Sequence, residues 1–157
     1  MRSNELIFKI LVYIDNNIFT KITLDGLAHT FHYNKYYIVK LFKKEIGYTL
    51  IDYINKLKIY YSLKLLNNSD YSILKIAIDN GFYSLEYYSE TFKKEIGVSP
   101  KKYQKMLADR LLDQRTISKI LEIMNLVKYK NEYISNYNNN AKKTLVLSIF
   151  KWLKVLK

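Results

Sequence analysis

The chain has 157 residues, 49% of them hydrophobic, which is enough apolar side chain for one or two small cores and too much for wholesale disorder. Cysteine is absent, which excludes disulfides, thiolate metal sites and a cysteine nucleophile, and makes the reducing cytoplasm the expected location. Twenty-six Lys and Arg against 14 Asp and Glu, a formal net charge of +12, favour a polyanionic partner, either nucleic acid or an anionic membrane surface.

In chain order, the opening MRSNELIFKI alternates apolar and charged residues and lacks the unbroken apolar stretch of a signal peptide. Leu6, Ile7, Ile10, Leu11 and Ile14 share one face at helical spacing, with Ser3 or Asn4 as a cap and Asn16-Asn17 as the exit. Thr23 caps a short second helix with Leu24, Leu27, Ala28 and Phe31 inward. Asn34 caps a third with Ile38, Leu41 and Phe42 inward, and two short helices this close make a helix-turn-helix candidate. Thr49 caps a longer helix, about 50 to 66, with Leu50, Ile54, Leu57, Tyr61 and Leu65 on one side. Asn67 to Asp70 have turn composition.

The pattern then restarts. Ser72 caps a short helix with Ile73, Ile76 and Ala77 inward, DNGF turns, and Ser84 caps a helix whose Tyr88, Thr91 and Phe92 repeat the spacing of Ile38, Leu41 and Phe42. The core FKKEIG occurs twice, its starts 50 residues apart, whereas Ala28 and Ala77 lie 49 apart, so the second turn holds one extra residue. Physically the phrase ends one helix and starts another: Gly47 and Gly97 fit the left-handed exit, and Thr49 and Ser99 each cap the next helix. Pro100 fits the first position of the last of these helices. With only 4 Gly and 1 Pro in the chain, the expected fold class is all-α.

These residues, from ITLDGLA and LFKKEIGYT through YINKLKIYYSLKLL and IAIDNGF to YYSETFKKEIGVSPKKY, resemble the DNA-binding module of the AraC/XylS family of bacterial transcription regulators over about residues 5 to 105. The resemblance implies seven helices in two helix-turn-helix subdomains joined by a long central helix. It implies a double-stranded DNA partner, read in successive major-groove segments roughly 34 Å apart. It makes activation the commoner role, RNA polymerase a candidate partner and a monomer the favoured state on DNA, with no cofactor and no enzymatic activity. A methyl-transfer repair member would need a reactive cysteine, and none is present.

The base-reading candidates implied by the resemblance are Lys35, Tyr36, Val39 and Lys40 in the first unit and Leu85, Glu86, Ser89 and Glu90 in the second. Lys40 stands where the family often has Arg and would donate to guanine O6 and N7; Tyr36 and Val39 would meet a thymine methyl or exclude wrong bases. Glu90 stands where Arg is usual, and carboxylates in a phosphate-walled groove are unfavourable unless they meet cytosine amino groups or are neutralised by neighbouring lysines. The phosphate candidates are Lys43, Lys44, Lys93, Lys94, Lys101 and Lys102. His32 takes the glycine position of the first turn, and Lys58 replaces a common Arg in the central helix. His29 and His32 have no partner at ligand spacing, so a turn role is expected and no metal site.

Residues 106 to 157 lie beyond the resemblance. The expectation is a helix over about 107 to 127 carrying Leu111, Ile117, Leu121 and Met124, then NEYISNYNNN as an Asn-rich linker, then a basic amphipathic terminal helix in KKTLVLSIFKWLKVLK. That terminal helix would pack on protein, as a lid on the module or a partner-docking helix, in preference to lying on a membrane. Since the first helix begins within a few residues of Met1, the effector-sensing domain that many members carry is expected to be absent, unless the chain is a piece of a longer regulator. An interaction protein with a degenerate second unit, docking on another regulator, RNA polymerase or a membrane, is the alternative reading.

Overall fold

The computed structural model describes residues 3–67 and 70–155, with side chains as far as residue 143. The described residues form eight helices and no strand: α1 (Ser3–Asn17), α2 (Leu24–Phe31), α3 (Lys35–Ile46), α4 (Leu50–Leu66), α5 (Ile73–Asp79), α6 (Leu85–Ile96), α7 (Pro100–Ala108) and α8 (Gln114–Val155). The caps expected for α2 to α7 form, whereas Ser3 and Asn4, the expected cap of the first helix, lie within α1 itself. Side-chain oxygens of Thr23, Asn34, Thr49, Ser72, Ser84 and Ser99 each accept a backbone N–H from the first turn of α2 to α7.

Two cores result. Leu6, Ile10, Ile14 and Leu27 pack with Ile38, Phe42 and the first half of α4. Ile76, Ala77, Tyr88, Phe92, Ile96 and Tyr103 pack with Ile59, Leu63 and Leu66 from its second half. Phe42 and Phe92 are both fully buried, each worth about 1.5–3 kcal/mol over exposure. Serving two cores, α4 buries Tyr53, Lys58, Ile59 and Ser62 beside Leu50, Ile54 and Leu57, while Tyr61 and Leu65 are only partly buried. A one-sided stripe was the wrong expectation for a helix lying between two units.

The C-terminal region departs further from its expected form. α7 stops at Ala108; Arg110 takes a left-handed backbone (φ 56°), and Leu111 N–H donates to the Met106 carbonyl at 2.8 Å. Asp113 then accepts Thr116 N–H at 2.7 Å and starts α8, so Leu111 lies exposed in a turn instead of on a helix begun at Leu107. NEYISNYNNN is helical, not a linker, because Tyr133 and Ile134 pack on the first core and Tyr137 stacks on Phe8 with ring centroids 4.1 Å apart. That packing outweighs the weak helix propensity of Asn, a few tenths of a kcal/mol per residue, or about 0.7 at most. The side chains of the expected amphipathic segment from residue 144 onward lie outside the described residues. No helix among the described residues is long and apolar enough to cross a membrane.

Candidate nucleic-acid interface

The turns of the two helix-turn-helix units are built by the same backbone bonds. In the first, Tyr33 N–H donates to the Ala28 carbonyl at 3.1 Å across His32, whose φ is 57°. In the second, Phe82 N–H donates to the Ala77 carbonyl at 3.0 Å across Gly81, whose φ is 73°. Asn34 and Ser84 then cap α3 and α6, so the extra residue of the second turn is Tyr83, which stands out from the surface and stacks on Tyr87. Both second helices end in left-handed glycines, Gly47 (φ 85°) and Gly97 (φ 94°).

On α3, the face away from the core holds Tyr36, Val39, Lys40, Lys43 and Lys44, all exposed, with Lys35 half-buried. Lys35 Nζ pairs with Asp25 at 3.0 Å, and Lys43 Nζ donates to the Gly47 carbonyl at 2.8 Å, closing the end of the helix. Lys44 reaches Glu45 at 3.7 Å and remains largely in solvent. Lys40 makes no ion pair among the described residues. Its ammonium stands one turn from Tyr36, the more exposed of the two apolar neighbours at 75%.

The corresponding face of α6 is of mixed sign. Glu86 and Glu90 are exposed beside half-buried Leu85 and Ser89. Lys93, Lys101 and Lys102 are exposed without ion pairs among the described residues, the last two in the first turn of α7. Lys94, a phosphate candidate by sequence, is bound to Asp52 at 3.0 Å and lies 3.9 Å from Glu95. The Thr49 hydroxyl and then Lys94 hold the Asp52 carboxyl below the usual carboxylate range, while Asp52 pushes the Lys94 ammonium up.

Three further side chains on α4 join the units, and sequence reasoning gave them no role in the site. Lys56 Nζ meets Glu95 at 2.5 Å; burial is the largest influence and works to lower its pKa, but the Glu95 and Glu122 carboxylates together outweigh it and raise it. Asn55 Nδ2 donates to the Tyr87 hydroxyl at 2.9 Å. Lys58, 6% exposed, donates to the Thr20 carbonyl at 3.1 Å and the Gly81 carbonyl at 2.6 Å, tying the chain ahead of unit one to the turn of unit two. Burial alone pulls its pKa down. The missing Arg at this position was legible; the two carbonyls it spans were not, because they are distant in sequence. His29 and His32 are exposed, with ring centroids 6.3 Å apart, and no group of three or more metal-binding side chains occurs among the described residues.

Two capped helix-turn-helix units on one shared helix, each presenting the outer face of its second helix, define a double helix-turn-helix module. Residues 27–106 match the family described as Helix-turn-helix domain, half of the chain. The chain is 34% identical to the bifunctional transcriptional activator/DNA repair enzyme AdaA of Bacillus subtilis over 68% of its own length and 50% of that protein. It is 33% identical to the multiple antibiotic resistance protein MarA of Salmonella typhimurium, over 62% of this chain and 77% of MarA. Among solved structures, the C-terminal domain of AraT, a response regulator from Geobacillus stearothermophilus, superimposes with TM-score 0.63 at 25% identity, covering 73% of this chain and 93% of that domain. The chain belongs to the AraC/XylS family of transcription regulators. It spans half the length of AdaA, and α8 lies beyond the matched family segment.

Proposed function

We propose that this chain is a sequence-specific double-stranded DNA-binding transcription regulator in which the first unit does most of the base reading. The observation that carries the reading is the outer face of α3, where Lys40 has no ion pair among the described residues and is flanked by exposed Tyr36 and Val39. Lys40 would donate to guanine O6 and N7, with Tyr36 and Val39 against a thymine methyl and Lys43 and Lys44 near phosphate. In the second unit Lys93, Lys101 and Lys102 are the available phosphate contacts, Lys94 being occupied by Asp52. Activation through RNA polymerase, binding as a monomer and a cytoplasmic location complete the proposal. Selection of bound duplexes from a random pool, followed by footprinting, tests it. Protection should cover two adjacent major-groove faces, and equal affinity for selected and random duplexes would sink the sequence-specific reading.

A second reading is supported by the exposed carboxylates of Glu86 and Glu90, which face where the groove would lie. On it, the second unit meets a basic protein surface instead of bases. Bases protected by α3 alone, with no footprint from the second unit, would favour this reading.

A further inference from the structure

α8 lies outside the segment that matches the family, yet it is built into both helix-turn-helix units. Within the matched part, α4 is the one helix shared by both cores. Beside α4, the Lys58 bridge to the Thr20 and Gly81 carbonyls is a tie at one point near the middle of that helix, and a joint of this kind leaves bending and twisting about α4 as the soft modes. α8 supplies a second joint. Ile123 enters the core of the second unit, and Leu126 and Val127, three and four residues on and so on the same stripe, enter the core of the first.

Polar ties flank this stripe. Glu122 reaches Lys56 at 3.4 Å, and the same Lys56 holds Glu95 of α6 at 2.5 Å. Farther along, Lys130, 3% exposed, meets Asp15 of α1 at 2.5 Å, and Tyr137 stacks on Phe8 of α1. These contacts use none of the outward positions of α3 and α6. Two side-by-side bridges resist a rotation that one would permit.

We propose that α8 is a splint that fixes the separation of α3 and α6, so that the chain discriminates among DNA sites by the spacing of their two segments as well as by their sequence. This rests on the DNA reading proposed above. One base pair inserted between the segments moves the second by about 3.4 Å along the axis and turns it by about 35°. A splinted module must then surrender the contacts of one unit. A jointed one follows the DNA.

Deleting α8 would strip both cores and can unfold the module, so the test uses the full chain with Glu122→Gln and Ile123→Ala combined. These changes loosen α8 from Lys56 and the second core while leaving Leu126, Val127, Lys130 and Tyr137 on the first unit, with folding followed by circular dichroism. Binding is measured by fluorescence anisotropy on a selected duplex and on versions with one base pair added or removed between the protected segments. The unmodified protein should lose at least about tenfold on either spacing change. The double variant should bind the original duplex more weakly, yet lose less than about threefold when the spacing changes. Equal weakening of the variant on all three duplexes would reduce α8 to a stabilising role and overturn the splint. So would a wild-type protein that prefers the selected sequence but ignores spacing. If the wild type shows no preference for that sequence over random DNA, the DNA reading fails, and the spacing role fails with it.

Discussion

The two helix-turn-helix units differ in which residues they put on a common frame. α3 carries four lysines against one glutamate, whereas α6 carries two lysines against three glutamates. α3 is not tied to α4 by an ion pair among the described residues. α6 is bound to α4 through Lys56, Lys94 and Asn55. The punctuation residues of FKKEIG set the backbone of both helices; the residues just before it decide what each helix can meet. The less pinned, positive helix suits a groove, and the pinned, mixed one suits an anchor.

The largest effect expected from breaking this equivalence lies in the turns. Gly81 and His32 occupy the same backbone position, but a Cβ at Gly81 would come within 2.7 Å of the Phe19 backbone and 3.0 Å of Lys58 Nζ. Left-handed strain of about 1 kcal/mol is largely offset by the narrower unfolded ensemble, about 0.4–1 kcal/mol, so overpacking of about 1–3 kcal/mol dominates and Gly81→Ala should cost roughly 1–3.5 kcal/mol. Denaturant unfolding monitored by circular dichroism checks it. A cost below about 1 kcal/mol would mean the second turn does not press on the chain ahead of α2.

Much of this frame could be read from the sequence because it is local. Caps, glycine exits and the inward triplets Ile38, Leu41, Phe42 and Tyr88, Thr91, Phe92 are short-range patterns, and each took its expected place. Contacts between segments distant in the chain were not legible. Lys58 spanning Thr20 and Gly81, and Lys94 turned to Asp52, depend on how the two units dock. The Asn-rich stretch reads as a linker by composition and becomes helix only because α1 lies alongside it. For the candidate site, exposure of Tyr36, Val39, Lys40, Glu86 and Glu90 followed from helical periodicity. Which lysines are already occupied did not.

Intermediate effects should come from the two positions that precede FKKEIG. Lys40→Ala should weaken binding to a selected duplex by about 1–3 kcal/mol and relax preference at one base position, read by competition with base-substituted duplexes. A uniform loss across all sequences would assign Lys40 to phosphate instead. Glu90→Arg should raise affinity across sequences and steepen the dependence of log affinity on log salt by about 1 to 2, if the second unit merely anchors. Collapse of preference at one cytosine-containing position would instead make Glu90 a base reader and bring the units closer to equivalence.

The smallest effect should come from His32→Gly, the reverse of the Gly81 substitution. His32 holds φ 57° while exposed, so replacing it relieves left-handed strain of about 1 kcal/mol without opening a cavity. Glycine also widens the unfolded ensemble, a cost of about 0.4–1 kcal/mol. The two terms oppose each other, and the net change in unfolding free energy should stay within about 0.5 kcal/mol of zero. Set beside Gly81→Ala, this separates two causes that one backbone angle leaves mixed. If His32→Gly were neutral and Gly81→Ala severe, the asymmetry would come from the packing of the second turn on Phe19 and Lys58, not from the left-handed conformation that the turns share.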